Sequence, residues 1–283
     1  MKNLCIFSIF TILLFEINIA SAVSGYVYEK RIIGHQAVHI VTINPEIYAV
    51  DIVKANNGAI GRETVASIAK RSQADIAING GFFEISACKD GMPSGTLIIH
   101  GRQYALKNRL QSLLIIDKGN VSIVSANPSR RIKNDISIVS GIPILISNKK
   151  IPIKIFKKNS DFYTQPHART ALGVKPDGKI VIVIAEHKYL KYLKYLIAII
   201  SKEMQSFVLQ DNAQGLTILE LAKLMQALGC KNAINLDGGG SSALWMNNKI
   251  INQTYGDKDE ENGIQISRPV SDAIIFRALP SNK

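Results

Sequence analysis

The chain opens, after an apolar leader, on short runs in which apolar and polar residues alternate. Residues 38–43 and 48–53 follow this pattern and are separated by Asn44-Pro45, a typical turn dipeptide. Alternation with a period of two predicts strands with one buried face. Similar or continuous apolar runs predict further strands at 75–78, 96–100, 113–117, 121–124, 136–139, 142–146, 171–175, 179–186, 233–236, 243–246 and 269–278.

Helical spacing is confined to a few segments. Residues 62–72 place apolar side chains three and four positions apart, which predicts a short helix. Residues 218–228 predict a longer helix, because Thr217 and Glu220 form a capping box and Gly229 ends the pattern. The basic stretch 152–166 is irregular and is predicted to be a loop. With no long linker or repeat, residues 23–283 predict one α+β domain of mixed β-sheets and a few packed helices.

The first 22 residues have the pattern of a secretory signal. Lys2 supplies a positive start, an apolar run covers residues 5–15, and Ala20-Ser21-Ala22 offers a cleavage site. The apolar run is too short to span a membrane, which takes about 20 residues. We therefore expect an exported protein, periplasmic or extracellular, whose folded part begins after residue 22.

The net charge of +12 is spread over scattered lysines. A scattered charge is more typical of a solvated basic surface than of a nucleic-acid site, so no nucleic-acid partner is predicted. Lys-Tyr-Leu occurs three times from residue 188 and leads into an apolar run that ends at 204. A surface helix covering the domain and a helix making peripheral membrane contact are both compatible with it. The oligomeric state is left open.

Two glycine-rich loops follow predicted buried strands. The first is Asn79-Gly80-Gly81-Phe82-Phe83-Glu84, and the second is Asp237-Gly238-Gly239-Gly240-Ser241-Ser242. Consecutive glycines weaken regular structure but allow the backbone to turn tightly or approach another group closely. Their amides, when turned inward, form a concave donor surface for an anion. The simpler alternative to an anion site is a tight turn without a function. Asp237, Ser241 and Ser242, which flank the three glycines, favour a functional site.

The side chains around these loops predict chemistry on a sugar or a phosphate. Asp237 and Glu84 offer the carboxylate pair that glycosidic cleavage uses. Arg169 is suited to bidentate binding of a phosphate. His167 is a candidate general acid, although a loop histidine is more often simply solvated. Asp237 has an alternative role too, since aspartate commonly holds its own turn.

The remaining polar residues predict no cofactor. There is no Cys/His metal-ligand spacing, nucleophile elbow, phosphate-binding loop or dinucleotide fingerprint, and a structural calcium site of oxygen ligands cannot be read from a sequence. Without the leader, the cysteines are Cys88 and Cys230. One disulfide between them and two free thiols are both compatible with export.

Together these motifs resemble the phosphodiester glycosidase family. The resemblance covers about residues 38–276 and rests on the first glycine loop, Pro93-x-Gly95, Arg169-Thr170-Ala171-x-Gly173, Gly215-Leu216-Thr217, and the block 235–242. It implies hydrolysis of a sugar-1-phosphodiester. It implies Asp237, Arg169 and Glu84 as catalytic candidates. The substrate-binding candidates are Asn79, Gly80, Gly81, Phe82, His167, Thr170, Gly238, Gly239, Gly240, Ser241 and Ser242.

One segment departs from the family pattern. Bacterial members usually follow the strand at 180–184 with an Asp-Gly-Arg turn, whereas this chain has Ala185-Glu186-His187 and the Lys-Tyr-Leu insertion. The alternative to an enzyme is therefore a non-catalytic protein that binds envelope polysaccharide or glycolipid on the same fold. In either case the expected partner is a sugar-phosphate or glycan.

Overall fold

The computed structural model describes residues 17–19, 25–33, 36–107, 111–128, 134–187, 215–256 and 266–280. The segment 188–204, with the Lys-Tyr-Leu insertion, lies outside these residues. The described strands are β1 (Ile17–Ile19), β2 (Tyr26–Ile33), β3 (Gln36–Ile43), β4 (Tyr48–Lys54), β5 (Ile76–Asn79), β6 (Leu97–Ile99), β7 (Arg102–Ala105), β8 (Gln111–Asp117), β9 (Asn120–Ala126), β10 (Ile136–Gly141), β11 (Ile144–Ile146), β12 (Arg169–Val174), β13 (Ile180–Ala185), β14 (Asn232–Asn235), β15 (Leu244–Met246), β16 (Lys249–Ile250) and β17 (Asp272–Ala278).

The described helices are fewer and shorter. They are α1 (Val65–Arg71), α2 (Ile153–Phe156), α3 (Asp161–Thr164) and α4 (Ile218–Ala227), with 3-10 turns at Ala55–Gly58 and Gly239–Ser241. The capping box of α4 is confirmed, since Thr217 accepts from the Glu220 amide and Glu220 accepts from the Thr217 amide. The stretch predicted as a loop instead contains α2 and α3. Each has only four residues, too few for the apolar periodicity that reveals a helix in a sequence.

The strands form three sheets. The first sheet has the order β1-β2-β3-β13-β12-β14-β11, the second β7-β6-β10-β8-β9, and the third β16-β15-β5-β17-β4. The α+β prediction is confirmed in outline, with strands dominating. The mixed-sheet prediction is wrong, because every pairing between the described strands is antiparallel. Apolar periodicity reports burial and not strand direction, so the sequence could not settle this point.

A central core lies between the three sheets, and β13 shows how it is built. All six residues of β13 are buried. Ile180, Ile182 and Ile184 face the central core, which also takes side chains from the second and third sheets. Val181 and Val183 face the opposite side, where Leu221 and Met225 of α4 cover the first sheet. This two-sided burial explains why β13 is a continuous apolar run and not an alternating one.

The two cysteines are both free thiols. Cys88 is exposed, whereas Cys230 is buried. Cys230 lies beneath β12, where a Cβ on Gly173 would come within 2.6 Å of its sulfur. Burial raises the pKa of the Cys230 thiol to about 11. Of the two alternatives that the sequence leaves open, the structure therefore shows free thiols, because one cysteine belongs to the core and the other to a surface loop.

Candidate functional site

Strand ends from the first and third sheets meet at one place. Asn79 is the last residue of β5 in the third sheet, and Thr170 is the second residue of β12 in the first. Asp237 follows β14, the neighbour of β12, after one intervening residue. The structure therefore brings the two glycine loops together, although they are far apart in the sequence.

Asn79 joins the two sheets through its side-chain amide. The residue is fully buried. Its Oδ1 accepts hydrogen bonds from Thr170 Oγ1 at 2.8 Å and from the Ala243 amide at 3.2 Å. Its Nδ2 donates to the Asp237 carbonyl at 2.7 Å. Asn79 thus acts as a structural connector within the site, because both atoms of its side-chain amide form hydrogen bonds with the protein.

The first glycine loop lies against Asp272, a residue that the sequence reasoning did not identify. The Gly80 amide donates to the Asp272 carbonyl, and the Gly81 amide donates to Asp272 Oδ1 at 3.0 Å. A Cβ on Gly80 would overlap Asp272 Oδ1, so only glycine fits there. Burial raises the pKa of Asp272 to about 6. The available signal was a carboxylate directly before the apolar run 273–276 of strand β17.

The second glycine loop holds Asp237 directly against the first. The Asp237 amide donates to the Gly80 carbonyl at 3.1 Å, and Asp237 Oδ1 accepts from the Gly238 amide at 2.9 Å. Asp237 keeps partial exposure to solvent. Burial is nevertheless the main effect on its carboxyl and raises the pKa to about 6, opposed by the hydrogen bond from the Gly238 amide and by the positive charge of Arg268.

Most backbone amides of the two loops are used by the protein itself. The Gly239 amide donates to the Ala168 carbonyl, and the amides of Ser241 and Ser242 close the 3-10 turn. The amides of Gly80, Gly81 and Gly238 are also bonded, as described above. These contacts therefore do not support the anion-binding arrangement of amides that the sequence predicts. Positive side chains are the alternative source of phosphate contacts.

Arg169 is such a cation, but its contacts are structural. Its Nε donates to the Leu216 carbonyl, and its Nη2 donates to the carbonyls of Phe162 and Gln165. Its guanidinium carbon lies 5.0 Å from the centre of the Phe162 ring. Only 2% of the residue is exposed, and burial lowers its pKa to about 10. The arginine predicted to bind phosphate fixes the segment before β12.

Arg268 is the cation that the sequence reasoning missed. A Cβ on Gly240 would lie 2.7 Å from the Arg268 guanidinium carbon and 2.8 Å from the Tyr255 carbonyl. Arg268 also lowers the pKa of Asp237 by its charge. It is partly exposed, unlike Arg169. Little in the sequence indicates this residue, because Arg268 ends a long polar stretch with no periodicity.

The other predicted residues have varied positions. Ser241 and Ser242 are buried, and Ser242 Oγ accepts from Thr170 at 3.2 Å. His167 is exposed overall, and its backbone pairs with that of Leu216. The partial burial of its ring and the charge of Arg169 lower the pKa of His167. Glu84 is exposed and accepts from Ser94 Oγ at 3.3 Å. Among the described residues, Glu84 forms no hydrogen bond with Asp237.

The segment that departs from the family pattern forms a buried polar chain. His39 Nε2 and Glu186 Oε1 are 2.8 Å apart, and His39 Nδ1 is 2.8 Å from the Tyr28 hydroxyl. Glu186 also accepts from the Gln253 amide at 2.6 Å. Its pKa is lowered, since these bonds outweigh the opposing effect of burial. Glu186 therefore fastens the end of β13 to β3 and to the segment after β16.

An open cleft of about 720 Å³ adjoins the first glycine loop. Phe82 and Phe83 of that loop line it, and so does Gly141, where an added Cβ would overlap the Asn235 carbonyl oxygen. The described residues contain no group of three or more His, Cys, Asp or Glu side chains placed to hold a metal ion. Within the same residues, no helix has the length and apolar character needed to cross a membrane.

Comparison with known proteins identifies the family. The family model for phosphodiester glycosidase matches residues 72–277, so the chain belongs to this family. An uncharacterized protein of Rickettsia conorii is 26% identical, over 56% of this chain and 92% of the relative. The mouse N-acetylglucosamine-1-phosphodiester alpha-N-acetylglucosaminidase is 26% identical over 75% of this chain, which spans 39% of that protein's length.

A solved structure shows the same fold. It is the catalytic domain of the zebrafish N-acetylglucosamine-1-phosphodiester alpha-N-acetylglucosaminidase, auto-inhibited by its pro-peptide. The similarity has a TM-score of 0.65 at 20% identity and covers 93% of this chain and 82% of the zebrafish domain. The three-sheet architecture is therefore that of the family's fold.

Replacing Asp272 with asparagine should change how stability depends on pH. The folded-state pKa of about 6 lies above the ordinary value of 3.8, so the folded protein holds more protons between these values. Its free energy of unfolding must then fall as pH rises through this window. Asparagine keeps the acceptor for Gly81 and removes the charge. We expect the loss of stability from pH 4 to pH 7 to shrink by on the order of 1–3 kcal/mol.

Urea denaturation at several pH values measures this effect. Asp237→Asn provides a second variant, which should remove its own part of the same pH dependence. Identical slopes in wild type and Asp272→Asn would show that the buried carboxyl is not the cause.

Replacing Arg169 with lysine should destabilise the fold. Lysine keeps the charge but cannot reproduce the planar fork that serves three carbonyls. Buried acceptors would lose their partners, at a cost of about 1–3 kcal/mol. The control is Arg102→Lys, since Arg102 also lies over a ring, that of Tyr104, but is exposed. Urea denaturation should separate the two variants. Unchanged stability with lost activity in Arg169→Lys would restore the phosphate-binding assignment.

Proposed function

We propose that the protein is an exported glycosidase that hydrolyses a sugar-1-phosphodiester. The observation that carries this proposal is the Asp237 carboxyl. It lies where the two glycine loops meet, it is partly exposed, and its pKa is about 6. A carboxyl with this pKa exchanges protons near neutral pH, as a general acid or base must. The family to which the chain belongs and the predicted secretory signal support the proposal.

The leaving group favours the role of a base. A phosphate leaves as a stable anion at neutral pH, because its second pKa is about 6 and its first is much lower. Protonation by an enzyme carboxyl therefore helps departure little. In the proposed step, the oxygen of water attacks the anomeric carbon and Asp237 takes the water proton. The bond from the anomeric carbon to the phosphate oxygen breaks, and the phosphate keeps the electron pair.

The positive charges near the loops have a defined part in this step. Arg268, placed against Gly240, is the proposed contact for the phosphodiester oxygens. Arg169 remains a positioning residue, as its bonds to backbone carbonyls indicate. Asp272 is fully buried and holds the first glycine loop. Glu84, on the exposed loop beyond Phe83, is not needed when departure requires no acid.

Asp237→Asn should lower kcat/KM for an aryl sugar-1-phosphate by about 10²–10⁴-fold, the usual contribution of general acid–base catalysis. The wild-type rate should rise as pH increases through about 6, because the ionised carboxylate is the active form. Circular dichroism and urea denaturation verify that the variant is folded. The matched control is Asp161→Asn, an exposed carboxylate outside the loops, which should retain full activity. A rate that falls as pH rises through 6 would contradict the base assignment.

Hydrolysis in ¹⁸O-labelled water tests which bond breaks. Attack at the anomeric carbon places the label in the released sugar, and attack at phosphorus places it in the released phosphate. We expect the label in the sugar, measured by mass spectrometry of both products. Label in the phosphate would mean that the protein is a phosphodiesterase. No turnover of several sugar-1-phosphodiesters by folded protein would contradict the proposal as a whole.

A glycan-binding protein on the same fold is the second candidate. The extensive use of loop amides and of Arg169 for internal bonds favours it, because fewer groups are left for catalysis. The two candidates differ in their response to Asp237→Asn. An enzyme loses rate and keeps ligand affinity, whereas a binding protein shows no rate in either form.

A further inference from the structure

The segment that departs from the family pattern ends close to the second glycine loop. The last residue of β13 pairs with Arg169, the first residue of β12. The carbonyl of Ala168, directly before Arg169, accepts a hydrogen bond from the Gly239 amide at 2.8 Å. Only the start of β12 therefore separates His187, two residues beyond β13, from the loop that carries Asp237.

The segment after β16 connects these two places. Asn252 is buried, and its side chain donates to the Ser242 carbonyl at 3.0 Å and accepts from the Leu244 amide at 2.7 Å. The amide of the next residue, Gln253, donates to Glu186 Oε1 at 2.6 Å. The segment is therefore fixed to the last residue of the second glycine loop and to the end of β13.

Two aromatic rings meet where this segment passes the end of β13. The rings of His187 and Tyr255 are stacked, with centres 4.0 Å apart and planes 12° from parallel. Tyr255 nevertheless keeps 39% of its surface exposed, so a ligand can reach the pair from solvent. A rigid amphipathic ring binds a flat ligand group at little conformational cost. The stacked pair is therefore suited to bind a planar group.

The stacked pair adjoins the proposed phosphate contact. A Cβ on Gly240 would lie 2.7 Å from the Arg268 guanidinium and 2.8 Å from the Tyr255 carbonyl, so both residues lie against the same glycine. A Cβ on Gly256, directly after Tyr255, would overlap the Arg268 amide nitrogen. Arg268 is also close enough for its charge to act on the Asp237 carboxyl. Arg268 is thus a neighbour of both Asp237 and Tyr255.

We propose that the His187–Tyr255 pair determines specificity by binding the group that is esterified to the far side of the substrate phosphate. This assignment rests on the proposed function. With the sugar at Asp237 and the phosphate at Arg268, the remaining group of the diester extends to the stacked rings. A planar apolar group stacks on Tyr255 and is preferred to a small alkyl group. Neither ring takes part in breaking the bond to the sugar.

Glu186 is a positioning residue in this arrangement. Its bond to the Gln253 amide holds the segment that carries Tyr255, and its Oε1 also lies 2.8 Å from Nε2 of the buried His39. The residues that replace the family's Asp-Gly-Arg turn therefore supply one ring of the stack and the carboxylate that places the other. This explains how the departure changes ligand preference without changing the frame around Asp237.

Titration calorimetry with the full chain tests this contact without turnover. The probes are benzyl phosphate and methyl phosphate, which carry the same charged group and differ in the planar ring. Benzyl phosphate should bind at least about fivefold more tightly, since ring stacking and burial of apolar surface both favour it. This ratio should depend little on salt, because the charge is the same in both probes.

Tyr255→Ala should remove the preference and leave the affinity for methyl phosphate within about twofold of wild type. Tyr255→Leu, which keeps an apolar side chain without a flat ring, should also remove most of it, whereas Tyr255→Phe should retain it. His187→Ala should reduce the preference by only about twofold, because Tyr255 remains. The matched control is Phe156→Ala, at an aromatic residue of α2 that is 56% exposed and lies outside this segment, and it should bind like wild type.

Hydrolysis of the benzyl and methyl diesters of one sugar-1-phosphate separates specificity from catalysis. Tyr255→Ala should raise KM for the benzyl diester about fivefold and leave KM for the methyl diester unchanged. It should keep kcat for both diesters, since a contact of equal strength in the ground state and the transition state acts on KM alone. A merely structural effect of the substitution would instead lower kcat for both.

Equal affinities of wild type for benzyl phosphate and methyl phosphate would overturn the proposal, and so would no measurable binding of benzyl phosphate. A preference that survives in Tyr255→Ala, or that is lost equally in Phe156→Ala, would have the same consequence. Failure of the proposed hydrolysis gives a different pattern, in which neither diester is cleaved while the two monoesters keep the expected order of affinity. The two proposals therefore fail separately.

Discussion

The side-chain amide of Asn79 is the interaction on which the site depends. It joins β5 of the third sheet to Thr170 in the first sheet and to the backbone on both sides of the second glycine loop. The hydrogen bonds of this buried amide restrict the positions of its partners, since each lost bond would leave a polar atom unpaired away from water. Two sheets that share only an apolar core could slide or rotate slightly. Asn79 fixes their relative position where Asp237 must be placed.

The glycines follow from the same constraint and not from anion binding. Gly80 lies where a side chain would overlap Asp272, and Gly238 lies where a Cβ would come within 2.7 Å of the Ala168 carbonyl. Because the loops pack closely against the rest of the protein, most of their amides donate hydrogen bonds within the protein and have no donor left for a ligand. At this site the glycines allow close packing of the loops, and their bonded amides are not available to an anion. The same sequence pattern fits both roles. The consequence is a rigid frame whose ligand contacts are left to side chains.

Local patterns predicted the strands and α4 well, because periodicity and capping are properties of neighbouring residues. The two glycine loops, which follow different strands in the sequence, are in contact in the structure. The sequence could not supply what depends on distant packing. It could not show that Arg169 is surrounded by carbonyls of residues 162, 165 and 216, or that Asp272 lies behind Gly80. It also could not show that Cys88 and Cys230 lie in different environments. A residue type indicates what chemistry is available, while its partners decide whether that chemistry is used.

Arg169 illustrates how its partners decide what a side chain does. Arginine has the geometry to hold a phosphate, but in this chain its fork matches three backbone carbonyls and fixes Phe162. Fixing Phe162 in turn positions Phe82 and Tyr163 on the cleft wall. The arginine therefore contributes to the frame around Asp237, because its donors already have carbonyl acceptors in the protein.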